Sequence, residues 1–355
     1  MQQGLSLERA IAAGRSALQL GLRDQARELF ERVLQVEPGH PEARLGLDLV
    51  EVPQVRPRTS EIALVWRHGP GLPECWEADW LRFVLSGQRI VDLNPAASES
   101  VAGHRAWPTT GPALIVDQRL TREKLGDYRA LYRAGVRFGL VHLSDELYAD
   151  DRAAYAYASL VLRNYWSAEL QHDRRVLTLP LGWKSGFVLG GANLPAHQRK
   201  YSWCFVGSSR KTQRERMLGA LSQISGGFLH LISSFDGPGS LPTLEYQDVL
   251  SQSVFCPAPA GHANLDSFRV WEALECGSIP IVERRPGFDY FRLAYGEHPL
   301  PTLQDWSEVP AIMRPLLADP AAMESLRLSC GAWWQSHKQE LRRRVAALIQ
   351  ERLAG

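Results

Sequence analysis

The sequence predicts an α/β protein of two Rossmann-like domains in tandem, facing each other across a cleft and preceded by an α-helical hairpin. Three observations predict it. Residues 6–51 carry apolar side chains at helical spacing and contain no strand-like run. From residue 62 onward, short apolar and β-branched runs alternate with helical stretches, the pattern of βαβ units in a parallel sheet. That alternation occurs twice, and 355 residues exceed what one hydrophobic core usually serves.

In the hairpin, Leu7, Ile11 and Leu18, then Ala26, Leu29, Phe30, Val33 and Leu34, recur with helical period. Gly21 separates the two helices, Pro38 stops the second, and a third helical stretch covers 41–50. Small Gly14 and Ala26 with bulky Phe30 and Pro38 resemble a tetratricopeptide repeat, and an ordinary helical cap fits equally. Either way, a single repeat must lean on a neighbouring domain or on a partner protein to bury its face. The segment 52–60, with two prolines and no periodicity, reads as a linker.

The first series of predicted strands is 62–66, 89–93, 113–116, 138–143 and 176–179, with helices at 76–85, 122–134 and 152–165. The second series is 202–206, 228–232, 253–256 and 278–282, with helices at 213–224, 243–251 and 267–275. A final helical stretch follows, in which Trp333 and Trp334 are the expected anchor. The boundaries are 1–52, 60–185, 186–320 and 321–355. Strand ends of two such sheets meet at one cleft, where a shared ligand would bind.

Composition narrows the function. Forty Lys and Arg against 39 Asp and Glu leave a net charge of +1, too little to hold nucleic acid, so any anion site must be local. Five cysteines are widely spaced in apolar runs with no CxxC pair, which predicts buried thiols, a reducing compartment and no zinc site. No basic-then-apolar leader opens the chain and no apolar run approaches ~18 residues, so a cytoplasmic protein without a membrane span is expected.

Two motifs carry chemistry. In the first, a strand runs into Gly207, then Ser208, Ser209, Arg210, Lys211 and Thr212, then a helix holding Arg214 and Glu215. Thr212 and Glu215 have capping-box spacing. Three cations at the positive end of a helix dipole are unfavourable by some tenths of a kcal/mol each, unless an anion sits there. Free N–H groups and these cations would hold a diphosphate. In the second, a strand leads through Pro259, Gly261 and His262 to a helix capped by Asp266 or Ser267, and Gly277 ends it. Arg269 and Glu272 share one face of that helix. The arginine could meet a phosphate and the glutamate could accept both ribose hydroxyls of a nucleotide.

The second motif strongly resembles the exostosin-like glycosyltransferases, including the ribitol xylosyltransferase branch. The matching residues are Pro259–Gly261, Ser267, Arg269, Glu272, Ala273, Gly277, Ile279 and Pro280, and the Phe-Val-Gly207 turn is similar to that family's donor-domain turn. The resemblance covers about residues 135 to 285. It implies the GT-B fold, an N-terminal acceptor domain and a C-terminal nucleotide-sugar domain. Donor-binding residues would be Gly207, Ser208, Ser209, Arg210, Lys211, Arg214, Pro259, Gly261, His262, Ser267, Arg269 and Glu272. The nucleotide sugar would be a co-substrate, with no other cofactor, and the acceptor a saccharide or protein glycan.

Two further motifs lie in the first domain. Asp145 and Glu146 follow a strand end, on the cleft side of a parallel sheet, and either could be the base that takes a proton from an acceptor hydroxyl. Being adjacent, they point apart, so the other would order the loop or cap a helix. Tyr165, Trp166, Trp183 and Phe187 could stack on a sugar or form interdomain core, with Lys184 a spare cation. No Asp-x-Asp pair occurs in these loops, so cations and a helix terminus, rather than a metal, would neutralise a leaving diphosphate. Inversion at the anomeric carbon is what the family resemblance implies. The alternative is a non-catalytic scaffold that holds a nucleotide or glycan and docks a partner through the repeat-like segment.

Overall fold

The computed structural model describes residues 7–19, 23–51, 61–67, 75–92, 111–189, 194–210, 213–233, 237 and 239–354. The expected break at Gly21, the linker 52–60, and Lys211 and Thr212 lie outside them.

Three helices open the chain: α1 (Leu7–Gln19), α2 (Arg23–Val36) and α3 (Pro41–Glu51). They enclose Phe30, whose ring fills the space left by Gly14 and Gly46; a Cβ at either glycine would come within 2.5–2.7 Å of it. The hairpin has its own small core, and it leans on the first domain through α3, where Leu45 packs against the cluster holding Tyr128 and Phe138.

The first sheet contains β1 (Ile62–Arg67), β2 (Ile90–Asp92), β3 (Ala113–Asp117), β4 (Phe138–His142), β5 (Leu160–Arg163) and β6 (Val176–Thr178). It is parallel throughout, in the order β2-β1-β3-β4-β5-β6. The second contains β7 (Tyr201–Gly207), β8 (Gly227–Leu231), β9 (Ser253–Ala258), β10 (Ile279–Glu283) and β11 (Thr302–Leu303), also parallel, in the order β11-β10-β9-β7-β8. Strand order reverses between β1 and β3 and again between β7 and β9. The crevices beyond the carboxyl ends of those strands are where open α/β sheets take ligands.

Strand β5 corrects the expected helix at 152–165. A 3-10 turn at Arg152–Ala156 is followed by Leu-Val-Leu-Arg as a central strand, every residue of it buried. A strand covered on both faces has no alternation, and periodicity cannot tell it from a buried helical segment. Edge strand β11, two residues long, was also not expected.

Helix α4 (Ala78–Leu85) packs on the first sheet, and α5 (Leu125–Arg133) lies between β3 and β4. In the second domain come α6 (Arg214–Leu221), α7 (Thr243–Ser251), α8 (Phe268–Glu275), α9 (Tyr290–Tyr295) and α10 (Val309–Ala318). The long α11 (Pro320–Ile349) returns from the second domain to the first. Its Trp334 is fully buried between Trp80 of α4 (5.7 Å between ring centroids) and Trp271 of α8 (4.8 Å). Glu275 accepts from Trp334 Nε1 and from Lys338 Nζ, each at 2.6 Å, so one buried carboxylate ties α11 to α8. Among the described residues no helix is long and apolar enough to cross a membrane.

Arg199 braces the second domain. Its guanidinium donates to the carbonyls of Leu194 (3.0 Å), Ser253 (2.9 Å) and Cys276 (3.0 Å), beside the C-terminal ends of α7 and α8 where carbonyls lack helical partners. Burial pulls its pKa down only to about 10, so it stays charged. Arg199→Leu strands several carbonyls and should cost about 3 kcal/mol. A melting temperature within about 2 °C of the parent would show that water replaces those bonds.

Candidate functional site

A cavity of about 350 Å³ lies between the carboxyl ends of the two sheets. From the first domain it is lined by Trp76, Glu77, Ser144, Glu146, Tyr165 and Lys184, and from the second by Gly207, Ser208, Arg214, Tyr246, Gly261, His262, Asp266, Ser267, Arg269 and Glu272 among others. Among the described residues, four non-glycine residues have left-handed φ: Ser144 (65°), Tyr148 (54°), Tyr165 (61°) and Gln213 (70°). Ser144 and Tyr165 line the cavity, Tyr148 OH accepts from Asn264 Nδ2 of the other domain, and Gln213 precedes Arg214. Such strain persists where surrounding structure holds it, commonly at functional sites.

The second-domain wall is built from two strand-to-helix turns. Strand β7 ends at Gly207, where a Cβ would fall 2.8 Å from Arg269 Nη2 and 3.5 Å from Arg214 Nη1, so glycine lets both guanidiniums approach the turn. Arg214 Nη1 donates to Ser208 O (2.7 Å) and Nη2 to Ala260 O (3.3 Å); Arg269 Nη2 donates to Val206 O (2.7 Å) and its guanidinium lies 4.8 Å from the Phe205 ring centroid. Burial, and then repulsion from Arg269, hold the Arg214 pKa down to about 10. Among the described residues of this wall four buried polar atoms have no partner: Arg214 Nε, Arg269 Nε and Ser267 Oγ at the two turns, and Ser240 Oγ. Two close, desolvated cations with spare donors make a receptor for an anion.

Ser267 occupies the N-cap position of α8, yet its side chain makes no capping bond. Asp266, the other expected cap, instead accepts from Trp271 Nε1 and Tyr295 OH, both at 2.6 Å, and from Leu181 N at 3.3 Å. Helix α6 opens at Arg214 behind the left-handed Gln213, and the expected capping residue Thr212 lies outside the described residues. Glu272, one turn into α8, is buried and accepts from Lys184 N (3.2 Å). Desolvation pushes the Glu272 and Asp266 carboxyls up to about 7, against ordinary values of 4.5 and 3.8.

The two adjacent first-domain carboxylates are divided. Asp145 Oδ1 accepts from the amides of Ala149 (2.9 Å) and Asp150 (3.2 Å), while Oδ2 pairs with buried Arg163 at 3.3 Å; it orders the loop. Glu146 reaches the cavity, and its Oε1 accepts from the consecutive amides of His262, Ala263 (3.1 Å) and Asn264 (3.4 Å) in the opposite domain. A Cβ at Gly261 would land on that same oxygen. His142 is a core histidine, bonded to Tyr155 OH (2.7 Å) and Asp150 Oδ2 (2.9 Å).

Other expected residues fall outside the lining. Arg210 is exposed, its N–H bonded to Ser208 Oγ, and neither it, Ser209 nor buried Pro259 lines the cavity. Of the two readings of Trp183, the structure excludes the stacking platform: it is 1% exposed, edge-on to Trp80 at 4.7 Å and close to Phe83 and Lys338, so it is interdomain core. Among the described residues no three His, Cys, Asp or Glu side chains group as a metal site.

Sequence reasoning missed Glu77. It follows the crossover from β1 and is buried, with Oε1 accepting from Ser144 Oγ and Asn164 Nδ2, each at 3.2 Å, and the Cys75 thiol 3.4 Å from Oε2. Burial raises its pKa, against the hydrogen bonds from Cys75 and Ser144, which favour the ionised form. The one signal available was its place at the start of the helix that follows β1, beside the topological switch point. Tyr246 was missed too, because its helix shows no charge or glycine pattern.

A family model described as the RXYLT1 C-terminal domain matches residues 191–354. No curated protein matches the chain. Among solved structures, sucrose-phosphate synthase from Thermosynechococcus elongatus is similar at 14% identity and TM-score 0.54, covering 82% of this chain and 99% of that one. HepE from Anabaena, in complex with UDP and glucose, is similar at 10% identity and TM-score 0.50, covering 82% of this chain and all of that one. With two parallel α/β sheets facing one cleft and a terminal helix crossing back, the chain has the GT-B fold of these glycosyltransferase structures.

Proposed function

We propose that this protein transfers a glycosyl group from a nucleoside diphosphate sugar to a hydroxyl of a saccharide or glycan acceptor, with inversion and without a metal. The observation that carries this reading is the meeting of Arg214, Arg269 and Ser267, each with a buried unpaired donor, around Gly207 and one helical turn from Glu272. A diphosphate supplies the oxygens those donors lack, and a ribose supplies hydroxyls for the Glu272 carboxylate. Uridine nucleotides are the first to test, since the similar Anabaena structure holds UDP.

In the proposed step, the Glu146 carboxylate takes the acceptor hydroxyl proton. The acceptor oxygen bonds to the anomeric carbon as the bond from that carbon to the β-phosphate oxygen breaks, its electron pair leaving with the diphosphate. Arg214 and Arg269 stabilise that charge in a dry site. Tyr165, 5% exposed on the cavity wall, orients the acceptor side. The test is a thermal-shift and calorimetric screen of nucleotides, followed by NMR of the product formed from the best-bound donor. An inverted anomeric centre, formed with chelator present, is the expected result. Tight donor binding without transfer across a broad acceptor panel would favour a scaffold instead.

The raised Glu272 pKa sets a pH dependence. Its folded value of about 7 lies above the ordinary 4.5, so its neutral form stabilises the fold fully below pH about 4.5, and that stability is lost as pH rises through about 7. Ribose hydroxyls favour the ionised form, so donor affinity rises over the same interval. In Glu272→Gln the fall in melting temperature between pH 5 and about 8 is shallower and donor affinity is weak at every pH. An identical pH slope in parent and variant would remove this assignment.

A further inference from the structure

The amides of His262, Ala263 and Asn264 form a run of N–H groups aimed at one point, and a carboxylate oxygen from the other domain occupies that point. Consecutive backbone N–H groups make a concave anion seat. Glu146 also lies within the field of Arg214, so the carboxylate sits where both amides and a cation favour negative charge. The neighbouring first-domain carboxylates are engaged elsewhere: Asp145 is committed to Arg163 and its own loop, and Glu77 to Ser144 and Asn164. Gly261 keeps the seat open, since a Cβ would take the space of Glu146 Oε1. The seat adjoins the Arg214–Arg269 pair and opens into the same cavity.

We infer that Glu146 is a built-in competitor for the phosphate seat, displaced from the 262–264 amides by the terminal phosphate of an incoming diphosphate. This rests on the donor-site reading above. Its consequence is an order of events. Oε1 is spent on three N–H groups until the donor arrives; displacement then frees it to accept a proton, so the base is released only when the leaving group is in place. A ligand that must evict a group binds more weakly by the cost of eviction.

The test is calorimetric titration of pyrophosphate and of UDP into the full-length parent and Glu146→Ala. Removing an ordinary ligand-binding residue weakens binding; removing a competitor tightens it. The expected result is about tenfold tighter binding of both probes in Glu146→Ala, a difference of about 1.4 kcal/mol, with the gain intermediate in Glu146→Gln. Unchanged or weaker binding in the folded variant would overturn the inference and make Glu146 a plain interdomain latch. Binding of neither probe by parent or variant would overturn it together with the donor-site reading. Tight parental binding with no gain on mutation would overturn the displacement alone.

Discussion

Glu146→Gln lowers kcat by about three orders of magnitude, within the range that a positioned base contributes, while donor binding is retained. Glutamine keeps the size of the side chain and can still accept from the 262–264 amides, so the interdomain contact survives and the lost function is proton uptake. Asp145→Asn is the matched control one residue away. It breaks the 3.3 Å pair with Arg163, both side chains being nearly inaccessible, and leaves a buried cation uncompensated. Its effect falls on stability, by about 3 kcal/mol, and the folded fraction turns over normally. Single-turnover rates with saturating donor, beside thermal melts, separate the two. If Glu146→Gln turns over within tenfold of the parent, the base lies elsewhere, and Glu77, the other acid on the first-domain wall, becomes the candidate.

Arg269→Met lowers kcat/KM by about 10² to 10³, the loss typical of one charge-stabilising donor at a reaction centre, and most of it appears in kcat. The guanidinium stacks over Phe205, donates to Val206 O and approaches Gly207 through Nη2, where the leaving charge would develop, while its buried Nε has no partner. Methionine preserves the apolar stem and the packing on Phe205. Arg269→Lys restores the charge but not the planar fork and recovers only part of the activity. Arg214→Met behaves similarly, with added destabilisation, because two carbonyls lose a donor. An Arg269→Met enzyme within threefold of the parent in kcat/KM would mean that the diphosphate is held elsewhere.

Sequence by itself determined the two-sheet architecture and which residues stand at the strand-to-helix turns of the second domain. Twice-repeated strand–helix alternation required two parallel sheets, and local chain direction sets a strand-to-helix turn, so Gly207 and the 259–272 segment could be placed at strand ends before any tertiary contact was known. Arg214, Arg269, Ser267 and Glu272 belong to such turns, and for that reason they were nameable from spacing together with the family resemblance.

Tertiary structure decided what depends on the opposite wall or on burial from both sides. Strand β5 hides in the sequence because both of its faces are covered. Trp183 and Tyr165 are both aromatic residues near the domain hand-over; only packing puts the first under Trp80 and the second on the cavity. Nothing in the chain order relates Glu146 to the amides 116 to 118 residues later, or brings Glu77 to Asn164, 87 residues away. Periodicity and capping act over a few residues, whereas the partners of a cleft carboxylate are set by how two separately folded sheets meet.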